Sequence, residues 1–158
     1  MRLYLAGGLF NAGQRLHNLY LEKYLKVFGH EVILPQRRAL ALYEDGKFDT
    51  KEIPVDCAKC CVDKDLLYVG CIDGADADSG TAIEYGLAIG ATHRAIIYRT
   101  DFRTDTEKEL GVNAMFGINW TILVCLPCFL TEFNQINDYY QRLARKIHEA
   151  IVAISSTE

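Results

Sequence analysis

Hydrophobic and polar positions switch between two periods along the chain. Short apolar runs rich in β-formers recur at residues 2–6, 31–34, 66–71, 94–98 and 120–124, the length and content of buried strands. Between them, apolar residues recur at helical spacing. Residues 11–28 place Leu16, Leu19, Tyr20, Tyr24 and Val27 on an amphipathic helix that Gly29 stops. Residues 53–62 predict a second helix, with Pro54 tolerated in its first turn. From Thr81 a third begins, with Ile83, Leu87 and Ala91 on one face. Residues 131–154 predict a long terminal helix carrying Ile136, Tyr140, Leu143, Ile147 and Ile151 on one side. Two stretches lack a clear period. Residues 36–51 are expected as a loop, with room for a helical turn, reaching over a site. Residues 100–117 are expected as a polar loop with a short helix.

Strands alternating with helices predict a parallel sheet covered on both faces. Right-handed crossovers then favour a flavodoxin-like, three-layer α/β sandwich whose five strands run in the order 2-1-3-4-5. In such sheets ligands bind outside the carboxyl ends of the strands, where the strand order reverses. Here that crevice lies between the first and third strands. It brings Tyr4, Gly7, Gly8 and Phe10 opposite Asp73, Asp78 and Glu84. Gly7 and Gly8 let backbone approach a ligand closely. The G-x-G-x-x-G fingerprint is missing, so nothing supports a dinucleotide.

Bulk properties narrow the classes. A chain of 158 residues is expected to form one domain, residues 1–158, with a real core. A net charge of −4 argues against a nucleic-acid surface, which needs a basic footprint. No apolar run reaches membrane-spanning length, and residues 1–10 lack the long apolar core and cleavage site of a signal peptide. A cytoplasmic protein is therefore expected. The six cysteines include two C-x-x-C pairs, Cys57/Cys60 and Cys125/Cys128. The pairs are far apart and each adjoins a regular element, so buried free thiols are favoured over zinc ligands or disulfides.

The carboxylates after the third strand invite chemistry. Asp76, Asp78 and Gly80 echo a calcium loop, but glycine stands at its fifth position and Leu87 at its twelfth, where glutamate is needed. Magnesium-assisted phosphoryl transfer would want a phosphate loop with lysine, which does not follow strand one. No metal site is expected. Glycosyl transfer needs one carboxylate at the anomeric carbon and an acid for the leaving group, and two carboxylates in different environments can divide those roles. Glu84, on a helix beneath the crevice, is the natural nucleophile; Tyr4, on the adjacent strand, is placed to orient it. The helix N-terminus keeps a nearby carboxylate ionised. The structural reading is that Thr81-x-x-Glu84 is a capping box and Asp78 a helix cap. Tyr4 and Phe10 would then be core residues and Asn119 a turn residue.

The segment Asp73-Gly74 … Asp78-Ser79-Gly80-Thr81-Ala82-x-Glu84-x-Gly86-x-Ala88 resembles the signature of the nucleoside 2-deoxyribosyltransferase family. The start, Tyr4-Leu5-Ala6-Gly7-Gly8-Leu9-Phe10-Asn11, and the later Asp101-Phe102-Arg103 and Phe116-Gly117-Ile118-Asn119 are also similar to its members. The resemblance implies a double displacement of 2-deoxyribose between nucleobases through a deoxyribosyl-glutamate, with 2′-deoxynucleosides and free bases as partners and no cofactor. It implies that Glu84 is the nucleophile, that Tyr4 positions it and that Asp78 holds the sugar 5′-hydroxyl. Phe10 would line the base pocket, and Asn119 would reach the sugar of a neighbouring subunit in a homo-oligomer, a dimer or hexamer. The acid near the base matches Asp56, with Cys57 and Asp63 as alternatives. A related branch of nucleotide N-glycosidases binds a 5′-phosphate after strand one. The loop Gly7-Gly8-Leu9-Phe10-Asn11 holds no basic residue, and a carboxylate at Asp78 would repel phosphate, which favours free nucleosides. Hydrolysis through the same intermediate, and a non-catalytic sensor on the same fold, remain the alternatives.

Overall fold

Strand β1 (Arg2–Ala6) lies inside a five-stranded sheet, pairing in parallel with the edge strand β2 (Glu31–Ile33) on one side and the central strand β5 (Leu66–Cys71) on the other. The computed structural model describes residues 1–103 and 112–156. Beyond β5 lie β6 (Ala95–Arg99) and β7 (Thr121–Cys125), both parallel, so the sheet runs β2-β1-β5-β6-β7. Strands β3 (Tyr43–Glu44) and β4 (Lys47–Phe48) form a separate antiparallel hairpin. Counting sheet strands alone, this is the flavodoxin-like order 2-1-3-4-5.

The strands' alternating side chains build two cores. Leu3 and Leu5 face α1 (Ala12–Val27) and α5 (Ile136–Ser155), joining Leu21, Leu25, Leu143 and Ile147. Tyr4 and Ala6 face the other way, toward α3 (Glu52–Val62) and α4 (Ser79–Thr92), joining Cys61, Tyr68, Tyr85 and Ile89. Leu143 is fully buried, so Leu143→Ala is expected to cost about 2–5 kcal/mol of stability, readable as a lower denaturant midpoint at unchanged slope.

Several elements differ from the sequence reading. Residues 36–51 are not a loop. Pro35 starts helix α2 (Pro35–Ala41) at a position where its missing N–H costs nothing. The β3–β4 hairpin follows, turned by Asp45 and Gly46 at φ 49° and 78°, the positive values that tight hairpins need. The apolar faces of two helices are also rotated. In α1 the core takes Asn18, Leu21, Glu22 and Leu25, leaving Leu16, Leu19 and Val27 exposed. In α4 it takes Thr81, Tyr85, Ala88 and Ile89, leaving Ile83 and Leu87 outside. Both polar exceptions in α1 have partners: Asn18 bonds the Gly8 carbonyl and Gln36, and Glu22 pairs with Lys26 and Arg37. Helix α5 begins at Ile136 after a 3-10 turn, Phe133–Gln135, and buries Tyr140, Leu143, Ile147 and Ile151 as expected. Within residues 100–117, where a short helix is expected, a 3-10 turn forms at Ala114–Phe116; residues 104–111 of that stretch lie outside the described residues.

Candidate active site

The carboxyl ends of β1 and β5 open onto a cavity of about 670 Å³. The chain reverses sharply there, and two glycines permit it. Gly74 has φ 116°, and a Cβ there would sit 2.7 Å from the Asp76 carbonyl oxygen. A Cβ on Gly7 would press the Cys71 Cβ at 3.1 Å. Asp73 ties the loop down by accepting from the Thr100 and Asp101 amides at 2.6 and 2.9 Å and from the Thr100 hydroxyl. Asp101 in turn accepts from the Gly74 amide at 3.1 Å and pairs with Arg103, whose guanidinium holds its carboxyl well below the usual range. Asp73 and Asp101 thus shape the loop and are spent doing so.

Asp78 ends the loop as the N-cap of α4. Its Oδ1 accepts from the Thr81 amide at 3.0 Å and the Thr81 hydroxyl at 3.2 Å, while no hydrogen bond reaches its Oδ2 among the described residues. Because the cap is Asp78, Thr81 falls at the third helical position, and Thr81-x-x-Glu84 forms no capping box. Glu84 lies one turn further on and turns toward the sheet. There the Tyr4 hydroxyl donates to its Oε1 at 2.8 Å. The strand's alternation is what aims Tyr4 at this helix: the residue is 1% exposed, packed toward Tyr68, with its hydroxyl on Glu84. Cys57, on α3, interacts through its thiol with both Tyr4 and Glu84.

Burial pushes the Glu84 carboxyl above the usual range, and the Asp78 charge adds to this; the Tyr4 and Cys57 hydrogen bonds pull it back. Burial also raises the Tyr4 hydroxyl and the Cys57 thiol, so both stay protonated donors at neutral pH. The result is a partly desolvated carboxylate held from one side by a fixed hydroxyl. Such a group is suited to attack an electron-poor carbon.

The structure brings Glu84, Asp56, Asp78, Gly7 and Phe10 to the walls of one cavity, with Tyr4 beneath. Phe10 is 77% exposed, a rim residue and not a core one. Gly8 is not on the wall; its carbonyl is held by Asn18 at 3.1 Å. Asn119 lies in the exposed turn before β7, at the amino-terminal edge of the sheet, and contributes nothing to this chain's own cavity. Asp56 is on the wall, but the Arg38 guanidinium forks its carboxylate and holds it below the ordinary range. Asp63 stands at the far end of α3 and bonds the Asp65 amide.

Sequence reasoning missed Arg38 and Arg15, which also line the cavity. Arg38 lay in the stretch read as loop. The signal was Pro35 directly after a strand, which reads as the first residue of a helix and places Arg38 one turn in. Among the described residues, no group of three or more His, Cys, Asp or Glu side chains could hold a metal ion. No disulfide joins the cysteines: Cys60 and Cys61 are buried, Cys57, Cys71 and Cys128 half-buried, and Cys125 exposed. No described helix is long and apolar enough to cross a membrane.

Open parallel α/β sheets bind ligands at their switch point, and here that point holds a tyrosine-bonded carboxylate beside a capped acidic loop. The profile of the family described as nucleoside 2-deoxyribosyltransferase matches residues 3–115, and the chain belongs to that family. That family indicates an enzyme acting on nucleosides. Solved structures share the fold. A conserved protein from Enterococcus faecalis V583 is 21% identical, with 90% of this chain and 98% of that one covered and a TM-score of 0.64. A 2-deoxyribosyltransferase from the psychrotolerant Bacillus psychrosaccharolyticus is 23% identical over 88% of this chain and 92% of that one, at a TM-score of 0.55. Among curated proteins no sequence matches.

Proposed function

We propose that the protein transfers 2-deoxyribose between nucleobases by double displacement at Glu84. The observation that carries this reading is the 2.8 Å bond from the buried Tyr4 hydroxyl to Glu84 inside the switch-point cavity. In the first step a Glu84 oxygen bonds C1′ of a 2′-deoxynucleoside as the C1′–N bond breaks, and the electron pair leaves with the base. In the second, a ring N–H of another base attacks C1′ from the vacated face, returns the pair to the carboxylate and gives up its proton, balancing the one that the departing base takes up. Two inversions give net retention. The absent 2′-hydroxyl favours the cation-like transition state, since an electron-withdrawing oxygen beside C1′ would oppose it. Tyr4 keeps one Glu84 oxygen engaged so that the other is aimed. The oxygen of Asp78 left free by the helix cap is available for the sugar 5′-hydroxyl, and Phe10 at the rim for stacking on the base.

The reading includes a working assembly of more than one chain, a dimer or hexamer, in which the exposed Asn119 reaches a neighbour's sugar as the family resemblance implies. One domain, residues 1–158, acting in the cytoplasm and needing no cofactor for the two steps, completes the reading.

Incubation with deoxyinosine and adenine tests it. Deoxyadenosine and hypoxanthine are expected in equal amounts, with ping-pong kinetics. Hypoxanthine with free deoxyribose and no deoxyadenosine would make the protein a hydrolase. Ligand binding without turnover would make it a sensor.

A further inference from the structure

Arg38 and Asp56 meet on one wall of the cavity, Arg38 from α2 and Asp56 from α3. The pair is geometrically specific. The Nε of Arg38 donates to one Asp56 oxygen and Nη2 to the other, a side-on fork that fixes the guanidinium plane. A guanidinium has five N–H donors, and this fork uses two of them. The other edge, Nη1 with the second Nη2 hydrogen, makes no hydrogen bond among the described residues, and 45% of the Arg38 side chain remains accessible. An arginine whose plane is locked by a carboxylate and whose outer edge is unspent is a preset pair of parallel donors.

Resting on the proposed deoxyribosyl transfer, we propose that the Arg38–Asp56 fork is the base-reading element of this cavity and that it selects 6-oxopurines, such as hypoxanthine and guanine. Two parallel donors match two adjacent acceptors, and the N7 and O6 atoms of a 6-oxopurine are such a pair. Adenine offers N7 beside an amino group, so one donor would meet another donor. A cavity of about 670 Å³ has room for a purine nucleoside. Asp56 then has a different task from the acid assigned to it by resemblance. Paired with Arg38 it stays ionised and has no proton to give. Its contribution is to hold the arginine in plane, while the cation lies against the oxygen that gathers charge as the base departs. Lysine could not substitute, since it supplies a point charge without the planar fork.

Calorimetric titration of hypoxanthine, guanine and adenine into the wild-type protein, alongside transfer from deoxyinosine to guanine, adenine and cytosine and from deoxyguanosine to hypoxanthine, tests the assignment. Hypoxanthine and guanine are expected to bind and react in preference to adenine. Arg38→Met and Arg38→Lys are each expected to reduce the hypoxanthine-to-adenine ratio by about 10-fold to 100-fold. The wild-type preference needs no variant, so it stands even if loss of the α2–α3 tie unfolds Arg38→Met. Equal or tighter binding of adenine, a preference for cytosine as acceptor, or an unchanged ratio in a folded Arg38→Lys variant would overturn the assignment while leaving transfer intact. Selective hypoxanthine binding, lost with Arg38 but without any transfer, would uphold it and overturn the transferase reading instead.

Discussion

Glu84→Ala is expected to lower turnover by three orders of magnitude or more, as removal of a covalent nucleophile does, and to leave the fold intact. Its stability consequence runs against habit. Most folded carboxylates have depressed pKa values; Glu84 is raised, by burial first and by Asp78 second. Between its unfolded and folded pKa values the native state therefore binds more protons than the unfolded state. Stability falls as pH rises through that window, and at neutral pH the ionised carboxylate is a net cost. Glu84→Gln, which keeps shape and removes charge, is expected to be inactive in base exchange and at least as stable as the wild type at neutral pH. The stability difference should vanish below the ordinary glutamate pKa. Paired denaturant titrations at pH 4 and pH 7.5 measure it; a Gln variant that is clearly less stable at pH 7.5, or one retaining normal turnover, contradicts this account of Glu84. Function and stability oppose each other here because a nucleophile must be stripped of water to attack.

Tyr4→Phe is expected to have the second largest effect. It removes one hydroxyl and leaves the ring in its packed position against Tyr68. A hydrogen bond to a charged group contributes about 1.5–3 kcal/mol, so kcat/KM should fall by about 10-fold to 100-fold at neutral pH. The pH profile carries the sharper readout. In the proposed mechanism Glu84 must be ionised to attack, so activity is expected to rise with pH along an acid limb that reports its ionisation in the free enzyme. The Tyr4 bond lowers the Glu84 pKa, and its loss should move that limb to higher pH. A tyrosine serving only the core would lower stability without moving the limb.

That residues 66–71 form a buried strand, that an acidic turn follows and that a helix carries Glu84 are local facts, set by an apolar run, by Gly74 and by a cap. The strand order is nearly local too, because right-handed crossovers leave few arrangements for alternating strands and helices. Tyr4 could be paired with Glu84 in advance for the same reason, since adjacent strands and a period of two leave little choice of direction.

Other features depended on packing. Which stripe of α4 is buried was not readable, because the helix is apolar almost all round and Ile83 and Leu87 satisfy a helical period as well as Tyr85 and Ala88 do. The sheet takes the aromatic and small side chains that fit its pleat and leaves Ile83 and Leu87 to line the cavity. The α1 stripe misled for a different reason. Asn18 and Glu22 are buried by virtue of distant partners, Gln36 and Arg37, which no local pattern announces.

What the sequence by itself determined is the scaffold and the carboxylate at its centre, since strand content, glycine turns and helix caps act over a few residues and leave a local trace. Only the tertiary structure decided the cavity wall built by α2 and α3. Arg38 meets Asp56 across 18 residues of chain, and that contact holds the Asp56 carboxyl below the ordinary range. Charge and hydrogen bonding depend on distance in space, and the approach of α2 to α3 sets that distance.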